Sequence, residues 1–377
     1  MKKSFLSMLA LPMLLSCGHQ QNVKEEWSNE PDTVVRYNLF DTSMKEGVSC
    51  YRIPSIVRTK NGDLITAIDE RVPSCMDLKY SRDINIVMRR SKDNGHTWMP
   101  METVVDYPLG QSASDPSMIV DHTTGEIFLF YNYMDLDKEK NVFHFHVISS
   151  RDNGETWSEA RDITPDVTEE DMKLNFKFIT SGRGVCTADG KLLHTIVNLQ
   201  KGLYVFGSED HGKTWKCMSR AIRPADESKI IELPNGQWMI NSRVNGLGMR
   251  YVHISADKGK TWTSYPDSTL IDPSCNGSII CYSSKKEGDD KDRIIVSNAA
   301  DAQHRKNLTI RMSYDNGKTW AYSKTLYSGG SAYSSLAPMK DGNIAVFYEK
   351  DDCSSNEVAI FSLKWLTDGE DEYKKIR

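Results

Sequence analysis

The chain has 377 residues, 39% hydrophobic and 26% charged, the composition of an ordinary globular protein long enough for a sizeable buried core. Its formal net charge of −5 offers no basic face for nucleic acid, so any anionic ligand must be held by locally placed arginines. Seven cysteines follow Cys17, an odd number that speaks against a complete disulfide framework, and no pair has the C-x-x-C spacing of a structural zinc site.

In chain order, the N-terminus carries Lys2 and Lys3, an apolar run from Phe5 to Leu15, then Ser16 and Cys17. The run is too short to cross a bilayer and reads as a targeting segment, residues 1–17. Leu14-Leu15-Ser16-Cys17 resembles a bacterial lipobox, which implies lipidation of Cys17 and an exported protein anchored in the cell envelope, in the periplasm or at the outer-membrane surface. The alternative is an ordinary signal peptide that happens to contain a cysteine. Residues 18–33 are polar and acidic and read as a tether, leaving residues 34–377 as the folded domain.

Short alternating or β-branched runs dominate that domain: Asn85–Met88, Glu126–Tyr131, Val142–Ile148, Leu203–Phe206, Tyr251–Ile254, Leu308–Met312 and Ile344–Tyr348. Turn signals such as Asn61-Gly62, Asp189-Gly190 and Asp341-Gly342 separate them, and no long stretch has helical periodicity. The chain reads as all-β.

An octapeptide of the form Ser-x-Asp-x-Gly-x-Thr-Trp recurs at Ser91–Trp98, Ser150–Trp157, Ser208–Trp215, Ser255–Trp262 and Ser313–Trp320. Its tryptophans lie 59, 58, 47 and 58 residues apart, the mark of one supersecondary unit used repeatedly. The residue before Gly is Asn, His or Lys, and Gly accepts positive φ, so each copy reads as a tight turn. In it Ser, Asp and Thr bond to backbone amides and Trp pins the turn to a neighbouring strand. One fixed Asp per copy is too few for a calcium loop. A period near 58 gives about six units, one of them without an octapeptide, each long enough for four short strands.

The octapeptides resemble Asp boxes, and the chain from about Val34 to Leu366 resembles the bacterial exo-sialidases. That resemblance implies a six-bladed β-propeller, sialylated glycans as substrate and no metal or organic cofactor. Phe361–Leu366 is similar to the last strand of that family. Tyr51-Arg52-Ile53-Pro54 resembles its Arg-Ile-Pro signature, which makes Arg52, Arg243 and Arg305 the three arginines that clasp the substrate carboxylate. Guanidinium suits that task because it pairs bidentately with a carboxylate and keeps its proton. By the same resemblance Arg71 and Asp115 touch the sugar ring, Glu349 orients Arg52, and Asp77 is the general acid/base. Asp69, Asp83 and Asp93 are its competitors, and a plain Asp-Pro turn is the other reading of Asp115.

Tyr333 matches the nucleophilic tyrosine. A neutral phenol avoids the repulsion a carboxylate would meet from the substrate's own carboxylate. A tyrosine with pKa about 10 needs a base nearby, and Glu227 is the candidate, with Glu232 as runner-up. Hydrolysis of a related nonulosonic acid of the KDN type, sialyl transfer, or a non-catalytic glycan-binding propeller would use the same arginines. His144 and His146 share a strand face but read as packing, and Ser181-Gly-Arg-Gly184 opens no helix and is no phosphate loop. Tyr131, Tyr133 and Trp238 read equally as pocket or core. Linkage preference and oligomeric state are left open.

Overall fold

The computed structural model describes residues 33–172 and 175–376; Cys17 and the tether lie outside them. Alternating β-branched and aromatic residues put one face of each strand against a neighbouring sheet, and the result is all-β, with only single-turn helices among the described residues, such as Thr164–Val167 and Leu363–Leu366. Ser362 caps the second of these, accepting from the Trp365 amide, so Ser355–Phe361 is the last strand and the expectation of a strand through Leu366 is corrected.

The described strands make five sheets, antiparallel except for the short Gly182–Arg183 bridge to Ser117–Met118. The first is the meander Cys50–Arg58, Leu64–Val72, Asp83–Ser91, Glu102–Val105. Similar meanders begin with Gln111–Val120, Lys177–Ile179 and Ser228–Glu232. The fifth sheet has seven strands and is two meanders sharing Tyr322–Pro338. That strand pairs with Lys306–Ser313 as far as Gly330 and with Ile344–Lys350 from Ser331 onward. Gly329-Gly330 marks the handover, where the lack of side chains lets the strand bend. Val35–Asp41 completes the sheet against Ser355–Phe361, so the first and last strands of the described chain are hydrogen-bonded partners.

Six apolar clusters fill the spaces between successive meanders. One holds Ile65, Met88, Met118 and Leu129 between the first and second, and another Phe40, Tyr51, Ile68, Phe347 and Val358 between the last and the first. Tyr131 and Trp238 belong to these cores rather than to a pocket, and the Tyr133 ring stacks on His146 at 4.7 Å.

All five octapeptides adopt one hydrogen-bonded turn after a meander's third strand. In the first, Asp93 accepts from the Thr97 amide (2.9 Å), the Thr97 hydroxyl (2.5 Å) and Ser91 (2.8 Å), while Ser91 Oγ accepts from the Gly95 amide. Positive φ falls on the residue before Gly as well as on Gly, with Asn94, Asn153, His211, Lys258 and Asn316 at 58–63°, which explains the preference for Asn. Thr214 holds the Asp210 carboxylate down at about 2; at Asp315 burial pushes the other way, but the bonds from Thr319, Ser313 and Lys318 together outweigh it and lower the pKa. A carboxylate whose folded pKa lies below its unfolded value of about 4 stabilises the fold above that value and loses the effect as pH falls through the folded pKa. Asp315→Ala is expected to cost about 1–2 kcal/mol in urea denaturation at neutral pH, and to show a smaller further loss than the wild type on acidification from about pH 5 to about pH 3.

Candidate active site

The strands that open two meanders, and the shared strand Tyr322–Pro338, break their ladders partway along. The register shifts lie between Arg52 and Ser55, between Ser114 and Ser117, and between Ser331 and Ser334. Such bulges free backbone groups and re-aim side chains, and here they set Arg52, Asp115 and Tyr333. Ile53 and Asp115 sit at positive φ, 68° and 63°. Asp115 is therefore a strained strand residue and not part of an Asp-Pro turn.

Glu349, fully buried on Ile344–Lys350, takes over what the breaks release. Its carboxylate accepts from the Ile53 amide (2.9 Å), the Tyr333 amide (3.0 Å) and Arg52 Nε and Nη2 (3.1 and 3.4 Å). Burial pushes its pKa up, but the Arg52 charge and the two amides outweigh this and hold it below the ordinary range.

Tyr333 Oη donates to Glu227 Oε2 at 2.6 Å. Arg243 Nη1 reaches the same oxygen at 2.6 Å and the phenol oxygen at 3.3 Å. The guanidiniums of Arg52 and Arg305 lie 5.6 and 5.5 Å from the Tyr333 ring centre, so three arginines from three meanders converge on one phenol. Burial and then the Glu227 charge push the phenol well above 10, against the pull of Arg243 and Arg305, which favours the protonated tyrosine. Arg305 is exposed, meets only the Ser274 carbonyl at 3.5 Å, and has no carboxylate within ion-pair distance among the described residues.

Asp77 stands on the loop after Leu64–Val72, with its side chain 71% exposed. A Cys50–Cys75 disulfide, a pairing the sequence left open, ties this loop to the strand bearing Arg52. Arg71 Nη1 bonds both the Cys75 carbonyl (3.0 Å) and Asp77 Oδ1 (2.9 Å), and Arg52 lies 3.7 Å from that oxygen. Burial raises the Asp77 pKa, but Arg71, Arg52 and Arg305 together lower it below the ordinary value.

Asp69 is buried and occupied: it accepts from Arg71 Nε and Nη2, Ser114 Oγ and the Asp115 amide. Desolvation raises both it and Asp115, and the Asp69 charge raises Asp115 further. Asp83 bonds Asn85, and Asp93 serves its turn. Glu232, the rival to Glu227, instead binds the Ala188 amide and Lys258.

Several supporting residues carried no signal in a single sequence. Asn132 bonds Asp115 Oδ2 (2.9 Å), Asn276 reaches Glu227 Oε1 (3.4 Å) and Ser181 (2.9 Å), and buried Lys229 bonds Asn276 (2.6 Å). Each is an ordinary polar residue until the sheets are assembled. The arrangement combines three cations for one anionic group, an exposed carboxylate on one side and a phenol with an adjoining carboxylate on the other.

Residues 80–346 match the family model of the BNR repeat-like domain. The chain is 34% identical over 351 residues to a sialidase of Micromonospora viridifaciens, covering 85% of this chain and 53% of that protein. It is 30% identical to a sialidase of Bacteroides fragilis, covering 80% and 60%. It thus spans little more than half the length of these relatives. Among solved structures it is similar to the Hadza microbial sialidase Hz136, with TM-score 0.77, 30% identity and coverage of 85% and 67%. The fold also matches an intramolecular trans-sialidase of Ruminococcus gnavus, with TM-score 0.75, 20% identity and coverage of 87% and 98%.

Removing the Glu349 charge leaves Arg52 without its buried partner. Glu349→Gln is expected to destabilise the fold by about 3 kcal/mol, read as a lowered urea midpoint with an unchanged slope.

Proposed function

The chain belongs to the BNR-repeat sialidase family, and on that footing we propose that it is a retaining exo-sialidase built as a six-bladed β-propeller. Reading the seven-stranded sheet as two blades gives six, matching the six inter-sheet cores and the pairing of first and last strands. The observation that carries the chemistry is the 2.6 Å bond from the Tyr333 hydroxyl to Glu227 among three arginines.

In this reading Arg52, Arg243 and Arg305 hold the substrate carboxylate. That carboxylate offsets two of the charges that depress Asp77, so the Asp77 pKa rises on binding and the group enters the reaction as an acid. Asp77 gives its proton to the glycosidic oxygen as that oxygen leaves the anomeric carbon. Tyr333 Oη bonds to the anomeric carbon from the other face while its proton passes to Glu227. In the second half Asp77 takes a proton from water, the water oxygen displaces Tyr333, and Glu227 returns the phenol proton. Two inversions give net retention, and Arg71 and Asp115 contact the sugar ring.

With a fluorogenic sialoside, Tyr333→Phe is expected to lower kcat by about 10³-fold or more, the order lost when a nucleophile is removed. Asp77→Asn should cost about 10²–10⁴-fold on a sialyl-lactose and much less on the activated aryl sialoside, whose leaving group needs little acid help. NMR of the first-formed product should show the α-anomer of free sialic acid. A 2,7-anhydro product would overturn hydrolysis, and binding without turnover would overturn enzymatic function.

The lipobox supports placement of the protein on the cell envelope through Cys17, with the occupied face open. Metabolic labelling with an alkyne fatty acid should mark the wild type and leave Cys17→Ala unlabelled; equal labelling would remove the anchor.

A further inference from the structure

The innermost strands have two functional ends. Arg52 and Glu227 lie near or beside the N-terminal ends of their strands, Tyr333 lies just past the Gly329-Gly330 handover in its own, and Arg58, Glu232 and Pro338 end the same runs five or six residues later. At about 3.3 Å per residue the two ends stand roughly 17–20 Å apart. A cavity of about 250 Å³ opens at the far end, lined by Arg58, His122, Arg183, Glu232 and Lys286 among others.

Its charge is uneven. Arg183 Nη1 donates to the Leu336 carbonyl (2.6 Å) and Nε to the Gly184 carbonyl (3.4 Å), and Arg58 Nη1 donates to the Met339 carbonyl (3.2 Å). Neither guanidinium has a carboxylate within ion-pair distance among the described residues. Burial and the nearby Arg58 charge lower Arg183 to about 10, and burial with both guanidiniums depresses His122. Of the three acidic residues in the lining, Glu232 is committed to Lys258 and the Ala188 amide and Asp289 to Lys375, while Glu287 is exposed and pairs with neither arginine. A desolvated cation beside a second cation is unfavourable unless an anion joins them.

We propose that this far-end cavity is a second anion site, taking a small oxyanion of the carboxylate or phosphate class between Arg58 and Arg183. Planar guanidiniums with free N–H groups match the paired oxygens of such a ligand. The site is separate from the arginines around Tyr333, and its occupancy does not depend on the reaction assigned there.

Crystals soaked in sodium selenate, and others in 4-bromobenzoate, test it directly. The expected result is an anomalous peak within hydrogen-bonding reach of Arg58 and Arg183 for at least one probe, and its loss in Arg58→Met. Which probe binds tells phosphate-like from carboxylate ligands. In solution, about 50 mM phosphate or benzoate, whichever class gives the peak, at constant ionic strength should raise the Tm of Arg58→Met by less than half the wild-type increment. Sialoside turnover of that variant should stay within about two-fold of wild type, because Arg58 is remote from Tyr333. No peak with either probe, or equal Tm responses, would overturn the proposal. If Arg183→Met does not fold, Arg58→Met still decides it.

Discussion

A buried carboxylate is the constraint on which the rest depends. Glu349 would be costly inside the protein on its own, by several kcal/mol, and its position is tenable because Arg52 and two backbone amides surround it. Those amides are free only because two strand ladders break at Ile53 and Tyr333. One side chain thus compensates two backbone defects, joins the first meander to the last and orients an arginine and a tyrosine in the site. The link that helps hold the chain's ends together also sets the chemistry.

The same arrangement explains the electrostatics. Each arginine near the phenol has a different local balance: Arg52 rests on Glu349, Arg243 on Glu227, and Arg305 on a carbonyl alone. The first two are held in place before any ligand arrives, while Arg305 faces solvent with its charge uncompensated. Local cations therefore create a positively charged pocket in a protein whose net charge is negative. Asp77 is exposed where Asp69 is buried and occupied, and that difference in environment, not residue type, separates an open carboxylate from one that serves as a brace.

Much of this was legible beforehand where side-chain chemistry and spacing suffice. The octapeptides announced repeated turns because Ser, Asp, Gly and Thr satisfy one another locally, within a few residues, and the structure repeats that bonding five times. Arg52, Arg243, Arg305, Tyr333, Glu227 and Glu349 were singled out by resemblance, and they meet around one phenol. The strand expected through Leu366 failed because a serine cap outcompeted a short apolar run. The Cys50–Cys75 pairing, the role of Asn276 and the unpaired Arg183 had no local signature, since each depends on which strands lie side by side.

The sequence by itself determined the all-β class, the repeat and the residue types available for holding an anion, because strand periodicity and turn chemistry act over distances of a few residues. Only the tertiary structure decided which carboxylate is buried and which is open, which cysteines join, and that Glu349, set beside Arg52 by resemblance, also accepts from the Ile53 and Tyr333 amides. Those outcomes rest on burial and on contacts between strands distant in the chain, and both come into existence only when the sheets pack together.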